Sequence, residues 1–282
     1  MKFKLSTARL FVPDGTPYEK ALARTTHLAV AAHQDDIEIM AFHGILECFQ
    51  QKDKWFSGVT VTNGSGSPRD GIYKNYTDDE MRAVRFKEQE KAAIIGGYAA
   101  QAFLDYPSSA IKDAKNKGPV DDIEAILKIA KPEIIYTHNP ADKHETHVAV
   151  VLRTIEAARI LPANARPKRV LGCEVWRDLD WLPDADKVAL DVSQHENLQA
   201  ALLGVFDSQI AGGKRYDLAT MGRRRAHATY HSSHATDVST GITFAMDLTP
   251  LISDPKKDVA EYVKGYIDRF ANEISSTIKK IS

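Results

Sequence analysis

A three-layer α/β architecture, with a mostly parallel β-sheet covered by helices on both faces, is what the sequence predicts, on two observations. Between residues 26 and 192, short apolar runs alternate with amphipathic segments, the pattern of strands and helices taking turns along the chain. Two of those apolar runs are also followed closely by clusters of histidine and carboxylate, His33-Gln34-Asp35-Asp36 and His144-Glu145-Thr146-His147. Open parallel sheets gather such groups at the carboxyl ends of their strands.

The elements follow in order. His27 to Ala32 (HLAVAA) reads as a buried strand, and Ile37 to Lys52 as the helix after it. Trp55 to Thr62 is a second strand, closed by the turn-rich loop Asn63-Gly64-Ser65-Gly66-Ser67-Pro68. Thr77, with Glu80 three residues on, forms a capping box for a helix that Gly96-Gly97 stop. Ala102 to Leu104 reads as a strand, Val120 to Ala130 as a helix, Glu133 to Thr137 as a strand, His144 to Ile160 as a helix and Val170 to Val175 as a strand. After Asp191 the pattern becomes mainly helical, with Ser193 to Ile210 and Tyr216 to Tyr230 as helices and Gly241 to Leu248 as a strand. Val259 to Ile278 is an amphipathic helix whose stripe (Val259, Val263, Tyr266, Phe270, Ile274, Ile278) suits packing on the body or on a second subunit. Residues 1–282 are read as one domain, with 193–282 a mainly helical extension packed on it.

Composition bounds the function classes. The chain has 282 residues, 43% hydrophobic and 27% charged, as soluble globular proteins do. A formal net charge of -1 offers nothing to a nucleic acid or an acidic membrane surface. No segment approaches the roughly 18 apolar residues of a membrane span. Only Cys48 and Cys173 are present, so a disulfide framework is not expected and a cytoplasmic location is.

The two clusters carry the chemistry. Where a buried strand turns into a helix, side chains project over the sheet's end, so His33 and Asp36 can reach one metal while Asp35 points elsewhere. A divalent cation offsets the repulsion of adjacent carboxylates. Alone, the run equally describes a helix N-cap at Asp35 or Asp36 with a polar loop histidine. His144 and His147, three apart at a helix start, share a face; alone, such a pair more often describes a solvated helix. Together, at strand ends the fold brings close, they supply two imidazoles and a carboxylate for a divalent metal, with a carboxylate left over as a base.

Here a resemblance becomes specific. Ala32-His33-Gln34-Asp35-Asp36-Ile37-Glu38 is similar to the Ala-His-Pro-Asp-Asp-x-Glu signature of the PIG-L/LmbE deacetylases, and Asp142-Lys143-His144-Glu145-Thr146-His147 resembles their Asp-x-His-x-Asp-His segment. Arg85-Phe86-Lys87-Glu88 resembles their Arg-x-x-Glu helix, and Ser208-Gln209 their Ser-Gln segment. The resemblance spans roughly residues 25 to 215 and implies a Rossmann-like fold. It implies His33, Asp36 and His147 as zinc ligands, with Fe2+ or Co2+ as alternatives, Asp35 as general base, and His144 as the imidazole facing the oxyanion. It further suggests Arg85 as the group that grips a hydroxyl or phosphate of a small N-acetylated sugar; Asp105, placed just after the predicted strand, is a second candidate of the same type. The implied reaction is removal of the N-acetyl group of an N-acetylglucosamine-like sugar or glycoconjugate by attack of a metal-bound water. Four positions depart from the family pattern: Gln34 for proline, Thr146 for aspartate, Ser65 for an acidic residue and Asp207 for histidine.

Several readings stand beside this one. Arg85 equally suits a surface ion pair with Glu88 or Glu90, and Asn63 to Pro68 a plain turn. Arg223-Arg224-Arg225 with His227, His231 and His234 suits a solvated helix face more than a lid over an anionic substrate, and no metal role is given to those histidines. Two histidines and a carboxylate also describe a non-haem iron centre, against which the spare Asp35 argues. A sugar binder without hydrolytic activity would have no use for Asp35. A dinucleotide-binding domain lacks its glycine turn, because His33 stands there.

Overall fold

The computed structural model describes residues 1–282. Its strands are β1 (Arg9–Phe11), β2 (His27–Ala31), β3 (Phe56–Thr62), β4 (Ala100–Tyr106), β5 (Ile134–His138), β6 (Arg169–Cys173), β7 (Val188–Asp191) and β8 (Ile242–Asp247). They form one sheet in the order β1-β4-β3-β2-β5-β6-β8-β7. β4, β3, β2, β5 and β6 run parallel, while β1 lies antiparallel on β4, and β8 antiparallel to both β6 and β7. Strand order reverses beside β2: the chain lays β3 and β4 on one side, then β5 and β6 on the other. That reversal opens a crevice above the carboxyl ends of β2 and β5, where a ligand can sit.

The helices are α1 (Tyr18–Ala23), α2 (Asp36–Met40), α3 (Phe42–Cys48), α4 (Asp78–Ile95), α5 (Ser108–Lys112), α6 (Gly118–Ala130), α7 (Glu145–Ile160), α8 (Glu196–Gly204), α9 (Asp207–Ile210), α10 (Tyr216–Tyr230), α11 (Thr249–Ser253) and α12 (Val259–Ile281). Period-two alternation along the strands sorts them into two layers. Leu28 and Val30 of β2 face one core with Leu22 of α1, Ile126 of α6 and Val150 of α7. Ala29 and Ala31 face the other core with Ile37 of α2, Ile45 of α3, Ala92 of α4 and Leu202 of α8. The predicted α/β sandwich is therefore what forms.

The differences from expectation have local causes. The helix predicted over Ile37–Lys52 breaks at Ala41, giving α2 and α3. The carbonyls of Glu38 and Ile39 accept instead from the buried Arg224 guanidinium, both at 2.8 Å, which withdraws them from a continuous helical ladder. The helix predicted over Ser193–Ile210 divides into α8 and α9, where Glu88 takes the Ser208 N–H at 2.7 Å and the Ser208 hydroxyl at 2.6 Å. β1 and β7 escape the periodicity test because they are short edge strands. β8, inside the mainly helical region, is hydrogen-bonded between β6 and β7 rather than appended to the sheet. α12 packs Val259, Tyr262, Val263 and Tyr266 on the body, whereas Ile274 and Ile278 stay exposed. No helix is long and apolar enough to cross a membrane.

The capping box at the head of α4 forms as read: Thr77 Oγ1 accepts the Glu80 N–H, and the Glu80 carboxylate accepts the Thr77 N–H at 2.8 Å. Because α4 carries Arg82, Arg85, Glu88 and Gln89 toward the rest of the molecule, its start anchors several contacts. Thr77→Ala should lower unfolding free energy by about 1 kcal/mol, seen as a lower denaturant midpoint at constant slope. An unchanged midpoint would mean that side-chain anchors further along α4, not the cap, hold this helix.

Candidate active site

The turn after β2 is held by several main-chain hydrogen bonds. The Ala32 carbonyl accepts Thr62 Oγ1 at 2.8 Å, and the Ala32 N–H donates to His138 Nε2 at 2.8 Å. The His33 N–H donates to Asp36 Oδ2 at 2.7 Å, folding the acid back over the turn. Asp35 itself sits at φ 92°, a left-handed value unusual for a side chain other than glycine or asparagine/aspartate. Its N–H donates to Gln89 Oε1 at 3.2 Å. Arg85, buried on α4, donates to the Gln34 carbonyl, lies 3.3 Å from Asp35 Oδ2 and donates to Ser67 Oγ at 2.7 Å. One guanidinium thus ties the strained turn to the Asn63–Pro68 loop. That loop approaches closely: Gly64 sits at φ 69°, where a side chain is strained, and a Cβ there would meet Gln34 Oε1 at 2.2 Å.

The turn after β5 brings the second cluster. His144 is the N-cap residue of α7, outside the helix proper, yet its ring stacks on His147 at 4.5 Å. Asp142 organises this turn. One oxygen accepts the His144 N–H at 3.1 Å; the other accepts His147 Nδ1 at 3.2 Å and the Trp176 N–H at 3.2 Å. With its Nδ1–H bonded to Asp142, His147 turns Nε2 into the site.

His33, Asp36 and His147 each offer a ligand atom within 4.8 Å of the other two. His147 Nε2 lies 3.2 Å from His33 Nδ1 and 3.3 Å from Asp36 Oδ2. Two ring nitrogens and a carboxylate oxygen converging on one point are a donor set suited to a divalent cation. His138, Asp142 and His147 are clustered as tightly. There, however, His138 Nε2 is taken by the Ala32 N–H and His147 Nδ1 by Asp142, so no lone pairs converge. The first trio is the candidate metal site.

Burial and neighbouring charge set the protonation of these groups. Burial works to raise Asp36, but His147, His138 and the hydrogen bond from His33 together outweigh it and hold the carboxyl well below the usual range. Burial opposes protonation of His147, yet Asp36 and Asp142 raise it to about 9. Burial pushes Asp35 well above the usual carboxylate range, with Arg85 opposing. Burial, then His147 and His33, lower His144 to about 4, so its ring is neutral near pH 7.

A cavity of about 690 Å³ opens over these residues. His33, Asp35, Asp36, His144 and Arg85 line it, so it brings together most of the residues singled out from sequence. His147 lies fully buried beneath. Asp105 is not brought in: Arg82 Nε holds its carboxylate at 2.6 Å, and a second Arg82 nitrogen binds its other oxygen. Arg85 makes neither predicted ion pair, because Glu88 holds Ser208 and Glu90 pairs with Arg9 at 2.8 Å. The three arginines of α10 part ways. Arg223 lines the cavity, Arg224 is buried against α2, and Arg225 pairs with Glu196 at the surface. Sequence reasoning missed the rim residues Trp176, Lys214 and Tyr216, although Trp176 follows the carboxyl end of β6, where the switch-point rule directs attention. Lys214 Nζ lies 5.2 Å from the Trp176 ring centre.

Residues 28–158 match the family model described as PIG-L: GlcNAc-PI de-N-acetylase, so the PIG-L resemblance read from the motifs holds for this segment. A protein of Escherichia coli (strain K12) described as uncharacterized deacetylase YaiS is 29% identical over 166 residues, 58% of this chain and 80% of its own length. Among solved structures, GalB, the 4-carboxy-2-hydroxymuconate hydratase of Pseudomonas putida KT2440, is similar with a TM-score of 0.59 at 15% identity, over 79% of this chain and 96% of its own. N,N'-diacetylchitobiose deacetylase from Pyrococcus horikoshii is similar with a TM-score of 0.56 at 16% identity, over 78% and 83%. At such identities the two structures establish the shared fold; they carry different reactions, so the fold alone does not choose between them.

The Asp142 contacts generate a test. Asp142→Ala should leave the fold intact but weaken metal binding by about 10–100-fold, as loss of a ligand's outer partner does. Competition against a chromophoric chelator measures this, and wild-type affinity in the variant would show that His147 needs no such support.

Proposed function

We propose that this chain is a zinc-dependent N-deacetylase that removes the acetyl group from an N-acetylglucosamine-like sugar or glycoconjugate. One observation carries the reading: a buried carboxylate, Asp35, is held by Arg85 at 3.3 Å beside a converging His33-Asp36-His147 donor set, and both face one cavity. A binding site without hydrolysis has no use for that second carboxylate. The PIG-L match and the names of the similar deacetylases support the amide and the sugar.

In this reading His33, Asp36 and His147 hold the metal, which when bound polarises the amide carbonyl and makes water more acidic. Asp35 takes the proton of the attacking water. Its raised proton affinity suits a base that must hold a proton for part of the cycle. Arg85 keeps the carboxylate aimed. His144, neutral near pH 7, donates one ring N–H toward the oxyanion. A neutral imidazole has no spare proton to release, so Asp35, having just gained one, delivers it to the departing amine. Trp176 and Tyr216 offer apolar ring faces on which a sugar can lie, and Lys214 and Arg223 sit at the same rim. Arg85 acts on Asp35 rather than gripping sugar, and Asp105 is reserved for Arg82.

The whole chain acts as one domain in this proposal, since the region after residue 193 supplies both β8 and a wall of the cavity. A cytoplasmic setting suits the two free, buried thiols, Cys48 and Cys173.

The test is acetate release from a panel of N-acetylglucosamine conjugates, read with metal content. Asp35→Asn is the variant of choice because asparagine tolerates the left-handed backbone. It should retain metal while turnover falls by ~100-fold or more. Turnover within a few-fold of wild type at full metal content would remove Asp35 as the base. Metal without acetate from any conjugate would overturn the sugar deacetylase reading.

A further inference from the structure

The cavity over the donor set carries cations that no acid answers. Asp35 and Asp36 are the only carboxylates in its lining. Arg85 lies 3.3 Å from the first, and the rings of His33 and His147 lie 3.2 and 3.3 Å from the second. Lys214 and Arg223 line the same cavity, and neither meets a carboxylate. Asp217, between them in sequence, is bound by Arg215 at 2.7 Å instead. Arg223 Nη1 donates to the Val175 carbonyl at 2.6 Å, a neutral acceptor that leaves the guanidinium charge unmatched.

Trp176 holds the lysine without neutralising it. Lys214 Nζ lies 5.2 Å from the Trp176 ring centre and the exposed Lys143 Nζ 5.9 Å, within the range where an ammonium is drawn to an aromatic ring. A carboxylate in that place would cancel the charge; an indole does not. The chain as a whole has a formal net charge of -1, so the positive rim is local, and a concave wall of one sign concentrates ligands of the other. The rim is also close to the chemistry. The His144 ring lies 4.5 Å from that of His147 and 6.2 Å from that of Trp176, a span that one sugar ring with a single substituent bridges.

Resting on the deacetylase reading above for the sugar, we propose that Lys214 and Arg223 form an anion subsite for the group attached to its anomeric carbon. The preferred substrate is then an N-acetylglucosamine conjugate whose aglycone carries a carboxylate or a phosphate. The reacting acetamide sits on the carbon next to the anomeric one. With the amide over His33, Asp36 and His147, the substituent beside it is the part of the molecule that turns to the cavity wall. The guanidinium offers a planar fork to two oxygens, and the ammonium a point charge. Both residues lie beyond the segment 28–158 that matches the family model, in the part of the wall built after the donor set.

Two N-acetylglucosaminides of the same shape test this, that of glycolic acid and that of its amide, which differ by one charge. Wild type should turn over the acid with a kcat/KM about tenfold or more above that of the amide, as one hydrogen bond to a charged group gives. The preference should shrink as salt is added. In Lys214→Met and in Arg223→Met the ratio of acid to amide should fall about tenfold. Lys256→Met removes an exposed charge beside the far end of α7, where Arg159 binds the next carbonyl, and should leave the ratio unchanged. N-acetylglucosamine 1-phosphate, run alongside, assigns the anion: a rate above that of the acid names phosphate, a rate below it carboxylate. Calorimetric titration of the same ligands into Asp35→Asn reads affinity without turnover. Acetate released from acid and amide at equal rates, or a preference that survives both Lys214→Met and Arg223→Met, would overturn the subsite and leave the deacetylase standing. Tighter binding of the acid with no acetate released would overturn the deacetylase and leave the subsite standing. No binding of any of the three ligands would overturn the subsite as well.

Discussion

Burying the Asp36 carboxylate under the end of the sheet is the constraint on which the rest of the site depends. An isolated carboxylate there would cost several kcal/mol, so it persists only where donors and opposite charge surround it. The His33 N–H, 2.7 Å away, and the rings of His33 and His147 meet that need. Each of those rings must in turn be oriented. Asp142 orients His147, and the turn itself orients His33. His138, apparently a third imidazole beside Asp36 at 3.5 Å, plays a different part. Its Nε2 accepts the Ala32 N–H and carries no hydrogen toward the acid, and burial holds its protonation well below the usual histidine range. It is a neutral wedge that fixes where β2 ends relative to β5.

Strain at Asp35 belongs to the same arrangement. A left-handed aspartate costs on the order of 1–3 kcal/mol, and the left-handed turn lets Asp35 and Asp36, though adjacent, point to different partners. One faces Arg85 and the other the histidines. Their environments then push the two carboxyls in opposite directions, Asp35 up and Asp36 down, in each case against burial or with it according to the neighbouring charge. Two acids with divergent proton affinities are what the proposed division of labour between base and ligand needs.

Much of this was legible in the sequence, because the fold class and the two clusters are written in local patterns. Strand, turn and helix follow one another within a few residues at His27–Met40, and the capping box at Thr77 is a four-residue signal. What escaped depends on contacts between distant segments. Nothing near Arg85 announces Asp35, which lies fifty residues earlier; the adjacent Glu88 and Glu90 were the visible candidates, and both are engaged elsewhere. Asp105 lies near the carboxyl end of β4, yet Arg82, one turn before Arg85 on α4, claims it. The break at Ala41 is equally non-local, since the group that captures the α2 carbonyls comes from α10. Asp142 is visible in the second cluster, but the sequence alone cannot reveal that one carboxylate serves His144, His147 and Trp176 together.

These distant contacts also explain why the region after residue 193 belongs to the chemistry as much as to the frame. Arg224 donates to the Glu38 and Ile39 carbonyls and to Gln199, joining α10 and α8 to the helix that begins with Asp36. Arg223 donates to the Val175 carbonyl at 2.6 Å, just before the rim tryptophan. Glu88 holds Ser208, next to the cavity-lining Gln209, from the same helix that presents Arg85. The buried Glu174 receives His227 of α10 at 3.0 Å and the Phe244 N–H of β8 at 2.8 Å, pinning both to the end of β6. A parallel sheet leaves the ends of its strands open. Here that opening is walled by a later part of the chain, tied to α2 and α4 through the buried Arg224 and Glu88. Arg223 and Glu174 tie the cavity wall without touching His33, Asp36 or His147, whereas Arg224 reaches the helix that carries Asp36, so the wall and the donor cluster are coupled through that one guanidinium.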